Sequence, residues 1–79
     1  MNKIEQKIKN IISNKFNITH DKLILIKSFK KELNIDSLDI IEIIMDIEDE
    51  FNIVIPDEYV DKLDNFYEIK NYLNKILNK

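Results

Sequence analysis

Residues 34–51 read N-I-D-S-L-D-I-I-E-I-I-M-D-I-E-D-E-F. The stretch is rich in isoleucine and in acids at once, holds no basic residue, and opens with a serine framed by Asp36 and Asp39. On a helical wheel, Ile40, Ile43, Ile44, Ile47 and Phe51 fall within a sector of about 100°, the width of a stripe that faces a core. Leu38, Ile41 and Met45 gather in a second sector, roughly a third of a turn away. Asp39, Glu42, Asp46 and Asp49 flank that second sector, and Glu48 lies beside Ile41. A helix in a small bundle needs one apolar face, and this one has more. Periodicity leaves two outcomes open. Either the extra stripe packs beneath the preceding loop, or it stands exposed and ringed by charge, as a binding surface does. In the second case Met45 suits a surface that receives several partners, because methionine repacks easily.

Outward from this helix, the chain reads as helical throughout. Asp36 is a good N-cap with Asp39 three residues on, close to a capping box, so the helix runs from about Ser37 to Phe51. Pro56 ends the apolar run Ile53-Val54-Ile55. Upstream, Ile4, Ile8, Ile11, Ile12 and Phe16 recur at helical spacing, and Asn17 is a plausible stop because asparagine tolerates the left-handed conformation. Residues 17–36 are expected to form a long ordered loop pinned by Leu23, Phe29 and Leu33, with one helical turn capped by Thr19. A strand over residues 22–27 is the weaker alternative, since its only candidate partner, residues 52–55, is equally short. Downstream, residues 57–63 fit a short helix carrying Val60 and Leu63. A last helix begins near Asn65, with Glu68 at N3, a buried stripe of Phe66, Ile69, Leu73, Ile76 and Leu77, and Tyr72 on its flank. The expected fold is all-α: a small four-helix bundle of three main helices and one short one, with a long loop between the first two.

Seventy-nine residues make one domain, expected to span 1–79 and to bury only about 60% of its unfolded surface. With no cysteine, there is no disulfide, thiolate metal site or thiol nucleophile. The start, Met1-Asn2-Lys3-Ile4-Glu5, is amphipathic rather than a secretory signal, and no apolar run approaches the ~20 residues of a membrane span. A soluble cytoplasmic monomer without stable membrane insertion is the expectation. The net charge of −3 hides an asymmetry: residues 1–32 carry +5, residues 33–61 carry ten acids and no base, and residues 62–79 carry +2. Such an acidic block steers basic partners and disfavours nucleic acid, although a merely solvated face would look the same. A calcium loop through Asp46, Glu48, Glu50 and Asn52 fails, because the segment lacks a turn glycine and continues as apolar helix. No metal site is expected.

Ser37 stands in the first turn of the acidic helix, where backbone N–H groups and the helix dipole favour a phosphate. Nothing nearby in sequence activates it as a nucleophile, and the only histidine, His20, lies in the loop, so a hydrolase triad is disfavoured. The chain is not expected to be an enzyme. Ser37 reads instead as a residue that another enzyme modifies, although a lone D-S-L would support no more than an ordinary helix start.

The longer pattern D-S-L-D-x-x-E-x-x-M-x-x-E-x-x-F-x-x-x-I-P, from Asp36 to Pro56, resembles the signature of acyl carrier proteins. The likeness extends over nearly the whole chain, through Ser28-Phe29 and Leu33 to the last helix. It implies a four-helix bundle carrying 4′-phosphopantetheine on Ser37, with Asp36 and Leu38 beside the attachment point. The arm is donated by coenzyme A and transferred by a holo-synthase, and acyl groups ride on its thiol. The resemblance further implies that Leu38, Ile41 and Met45 form an exposed recognition patch. Asp39, Glu42, Asp46, Glu48 and Asp49 would then meet basic patches on fatty acid synthesis enzymes and acyltransferases. The chain departs from the family at Asn17 and Asn34, where glycine is usual, at Ile35, where a small residue is usual, in the apolar Ile24-Leu25-Ile26, and in a lysine-rich first helix. The pattern favours a carrier for fatty acid synthesis. A specialised carrier for D-alanine, polyketide or another acyl pathway is the alternative, an unmodified helical adaptor is a weaker one, and a peptidyl carrier with its Gly-Gly-His-Ser-like core is weaker still.

Overall fold

In a computed structural model, which describes residues 3–77, the chain folds into six helices. Met1 and Asn2, which open the amphipathic Met1–Glu5 segment, and the last two residues of the expected 1–79 domain lie outside the described residues. Three helices are long: α1 (Lys3–Phe16), α4 (Ser37–Phe51) and α6 (Phe66–Leu77). Three are single turns: α2 (His20–Leu23), α3 (Phe29–Glu32) and α5 (Asp57–Val60). Helix α1 packs against α2, α4 and α6, and α5 packs against α4. Among the described residues there is no strand, so residues 22–27 do not take the extended alternative.

The core is built from the stripes that the periodicity marks. Ile8 and Ile12 of α1, Ile40, Ile43, Ile44 and Ile47 of α4, and Phe66, Ile69 and Leu73 of α6 are all buried. Ile76 and Leu77 pack against this core only partly, because the last turn of α6 runs to its edge. Leu23 and Phe29 pin the interhelical segment as expected, Leu33 packs partly against the core, and Phe29 meets Phe16 with ring centroids 5.5 Å apart.

A chain without glycine must place other residues wherever the backbone turns left-handed. Asn17, Asn34 and Asn52 have φ of 55°, 53° and 54°, the left-handed region that asparagine tolerates best after glycine. Asn17 ends α1, with the Ile18 N–H donating to the Ser13 carbonyl at 3.1 Å. Asn52 ends α4 in the same way, with the Ile53 N–H donating to the Glu48 carbonyl at 3.1 Å. Both are Schellman-type stops that satisfy carbonyls the helix leaves unpaired.

The segment between α1 and α4 has more helix than expected. Thr19 caps α2, accepting from the Lys22 N–H at 3.2 Å. Ser28 caps α3, accepting from the Lys31 N–H at 3.3 Å. Beside this local cap, α3 is held by anchors distant in the chain. The Asp64 carbonyl accepts from the Phe29 N–H at 2.7 Å, the Asp64 carboxylate from the Lys30 N–H at 3.2 Å, and the Asn65 amide donates to the Lys27 carbonyl at 3.0 Å. Helix α5 stops at Val60, and the chain reaches the buried Leu63 through i→i+3 turns. Asn65 caps α6, accepting from the Glu68 N–H at 2.9 Å, while Glu68 accepts from the Asp64 N–H at 3.3 Å.

Candidate functional site: the acidic helix and its serine

Asp36 fixes where α4 begins. One carboxylate oxygen accepts from the Leu38 N–H at 3.0 Å and the Asp39 N–H at 3.2 Å, and Asp39 reaches back to the Asp36 N–H at 3.4 Å. This is a capping box with aspartate in both roles. Asn34, turning left-handed just before it, sets the entry angle. Ser37 follows as the first helical residue and is exposed, its hydroxyl making no hydrogen bond among the described residues. Two of the N–H groups that a phosphate would use are already held by Asp36. What the helix end offers is therefore its dipole, the remaining N–H and a hydroxyl held on a rigid element. An exposed, uncovered hydroxyl on a rigid first turn fits a phosphodiester attachment point, because nothing has to move to admit the group.

The two faces of α4 separate as the wheel places them. The inner stripe is buried, and Phe51 at its end is half-buried. Leu38, Ile41 and Met45 are 67%, 42% and 56% exposed, so the second stripe does not pack under the loop. The loop is tied instead to the Asp64–Asn65 corner, which leads into α6.

Between α4 and α5 lies a partly open groove of about 420 Å³. Ile41, Ile44, Met45, Ile55 and Val60 form its apolar lining, with Glu48, Asp57 and Asp61 among them. Ser37 precedes Ile41 by four residues and Ile44 by seven, so it lies on the same side of the helix as the groove.

The acids of α4 do different things. Glu42 is paired with Lys15 of α1, and Glu50 with Lys7 at 3.3 Å. The Glu42 hydrogen bond is the main reason the Lys15 ammonium holds its proton above the ordinary lysine value of 10.5; burial opposes it, and the charges of Glu42, Asp46 and Asp39 add to it. Glu48 turns inward and accepts from the Ile55 N–H at 2.6 Å, tying the α4–α5 connection to the helix. Asp46 and Asp49 are exposed, and their carboxylates make no hydrogen bond or ion pair among the described residues. The inward bond of Glu48 and the Lys15 pairing of Glu42 were invisible in the sequence, where both acids read simply as members of a charged rim.

His20 lies in α2 and is half-buried, and no hydrogen bond or ion pair links its side chain to Ser37. Among the described residues, no group of three His, Cys, Asp or Glu side chains is arranged to hold a metal ion. No helix among them is long and apolar enough to cross a membrane.

A small helical bundle whose acidic, two-faced helix starts at an exposed serine has the form of a carrier domain. Comparison with known proteins agrees. Residues 6–73 match the family model described as a phosphopantetheine attachment site. The chain is 47% identical over 74 residues to an acyl carrier protein of Buchnera aphidicola subsp. Schizaphis graminum, covering 94% of each chain. It is 43% identical over 77 residues to that of Karelsulcia muelleri, covering 98% of this chain and 93% of the relative. It is 37% identical over 71 residues to that of Thermosynechococcus vestitus, covering 90% and 88%. The chain belongs to the acyl carrier protein family. Its cofactor is 4′-phosphopantetheine, and its role is that of an acyl carrier.

Proposed function

We propose that Ser37 is the attachment residue and that the chain is a single-domain, cytoplasmic carrier of growing acyl chains in fatty acid synthesis. The carrying observation is the division of α4 into a buried inner face and an exposed apolar stripe among acids, with an uncovered serine at its tip. In the loading reaction, the Ser37 hydroxyl oxygen forms a bond to the phosphorus of coenzyme A that bears the pantetheine. The pyrophosphate bond breaks, adenosine 3′,5′-bisphosphate leaves, and the hydroxyl proton passes to a base on the holo-synthase. Asp36 keeps the serine at a defined helix position, and Leu38 stands exposed beside it.

Leu38, Ile41 and Met45 then dock onto partner enzymes, while Asp39, Glu42, Asp46 and Asp49 steer the approach of their basic patches; Glu48, turned inward to the Ile55 N–H, adds only its charge. Exposed ion pairs are individually weak, so such a face speeds encounter and sets orientation without holding a partner long. The apolar groove beside α5, on the same side of the helix as Ser37, is the natural place for a short acyl chain to withdraw from water.

The test is to incubate the purified chain with a phosphopantetheinyl transferase, coenzyme A and Mg²⁺, then measure intact mass. A gain of one phosphopantetheine, mapped to Ser37 and absent in Ser37→Ala, is expected; an unmodified chain would refute the assignment. Protein isolated from its native cells should carry saturated and 3-hydroxy fatty acyl thioesters. D-alanyl or polyketide cargo would move the reading to a specialised carrier, and a permanently bare serine would leave a helical adaptor.

A further inference from the structure

We propose that Lys15 is a built-in competitor for the docking acids of α4: it occupies the Glu42 carboxylate, and a partner's cation must displace it to use that acid. The inference rests on the docking face proposed above. Lys15 stands in the last turn of α1, and Glu42 lies 27 residues away in α4; packing of α1 against α4 brings them into contact. A cleft of about 540 Å³ separates the two helices there, lined by Ile11, Asn14, Lys15, Asp46, Asp49 and Glu50. Lys15 therefore sits at the edge of the acidic face, next to the acids a partner would meet.

The pair is placed to be displaced. The Glu42 side chain is 53% exposed and that of Lys15 is 32% exposed, so solvent reaches the carboxylate while the lysine holds it. Ion pairs this exposed contribute little and exchange readily. Glu42 and the three acids that line this cleft, Asp46, Asp49 and Glu50, thus divide into two kinds. Glu42 and Glu50 are held by Lys15 and Lys7, and Asp46 and Asp49 are free of such partners among the described residues. A partner whose cations fall on Asp46 and Asp49 breaks no ion pair to dock, and meets only the weaker through-space field of Lys15 at Asp46. A partner that needs Glu42 must displace the resident ammonium, so Lys15 is a specificity-determining residue for docking.

The test is steady-state loading of the full chain by a phosphopantetheinyl transferase with coenzyme A at low ionic strength. It compares the parent, Lys15→Gln, Glu42→Gln and the double variant, with Lys75→Gln on α6 as a control of equal charge change. Lys15→Gln is expected to lower KM and raise kcat/KM by about two- to fivefold with kcat unchanged. The gain should exceed that of Lys75→Gln, vanish in the Glu42→Gln background and fade in high salt. An equal gain in the Glu42→Gln background overturns the competition. So does no gain from Lys15→Gln when Glu42→Gln alone raises KM; in that case the docking face stands without the competitor. If neither variant alters KM, the role of Glu42 in docking falls and this inference falls with it. Matching melting curves for Lys15→Gln and the parent separate a docking effect from a folding one.

Discussion

Replacing Ile44 and Ile47 by alanine, one at a time, tests the placement of the groove against the core. Each substitution removes three carbons, worth roughly 2.4 kcal/mol of lost transfer free energy at about 0.8 kcal/mol per methylene. Ile47 is fully buried and does not line the groove, so its atoms leave a closed void. A residual void of roughly 50 Å³ adds about 1 kcal/mol, for a total near 3–4 kcal/mol. Ile44 is equally buried, 3% exposed, but lines the groove beside α5. The space it vacates opens into an existing cleft, so the void contribution largely disappears and the cost stays at about 2.4 kcal/mol. Ile41, 42% exposed, should cost below about 1 kcal/mol when truncated. A 79-residue domain has only about 4–12 kcal/mol of stability, and each kcal/mol lowers Tm by about 4–8 °C. Ile47→Ala should therefore approach unfolding at moderate temperature while Ile44→Ala remains folded. Urea titration followed by far-UV circular dichroism measures all three, with unchanged m-values as the check that the denatured states match. If Ile44→Ala costs as much as Ile47→Ala, or Ile41→Ala approaches either, the groove and the two-faced helix are misplaced.

Four further expectations are open to direct measurement. Asn52→Val should cost about 1–2 kcal/mol, because a β-branched residue cannot readily take φ near 54°, whereas Asn52→Gly should hold or raise Tm. Glu48→Ala should cost about 1–3 kcal/mol and speed hydrogen exchange at the Ile55 amide, which loses its 2.6 Å acceptor; Glu48→Gln should recover part of both. Met45→Glu should leave Tm unchanged, since the side chain is largely exposed, yet reduce acyltransferase turnover by about tenfold; unchanged turnover would count against the docking stripe.

Stability should fall as the solution becomes strongly alkaline. Tyr72 is raised above its ordinary value of 10.0 by burial first, then by Tyr59 and Glu58 nearby, and Lys15 is raised above 10.5 chiefly by Glu42. Both contributions are complete below the unfolded values and are lost as pH climbs through the folded ones. Melting curves taken between about pH 9 and 12 should therefore show a decline that Tyr72→Phe reduces, and an unchanged slope in that variant would contradict the assignment.

Much of this molecule was legible in its sequence because the rules that shape it are local. The 3.6-residue period marks which isoleucines of α1 and α4 face inward, and caps such as Thr19, Asp36 and Asn65 act on N–H groups two or three residues away. The left-handed stop at Asn17 follows from the same local chemistry, and so does the one at Asn52, which follows directly on the expected helix end at Phe51. Helix α3 has a local cap in Ser28, but a single turn carries no helical period to mark it, and its anchors at Asp64 and Asn65 lie some three dozen residues downstream.

The sequence by itself determined that α4 has two apolar stripes, an acidic flank and a serine at its start. Only the tertiary structure decided that the second stripe is bare, because that depends on where the preceding loop is tied down. Tertiary packing likewise turned Glu48 inward to Ile55 and brought Lys15 onto Glu42. Side-chain periodicity is a property of one helix, whereas exposure and charge pairing depend on which other elements the fold brings alongside it.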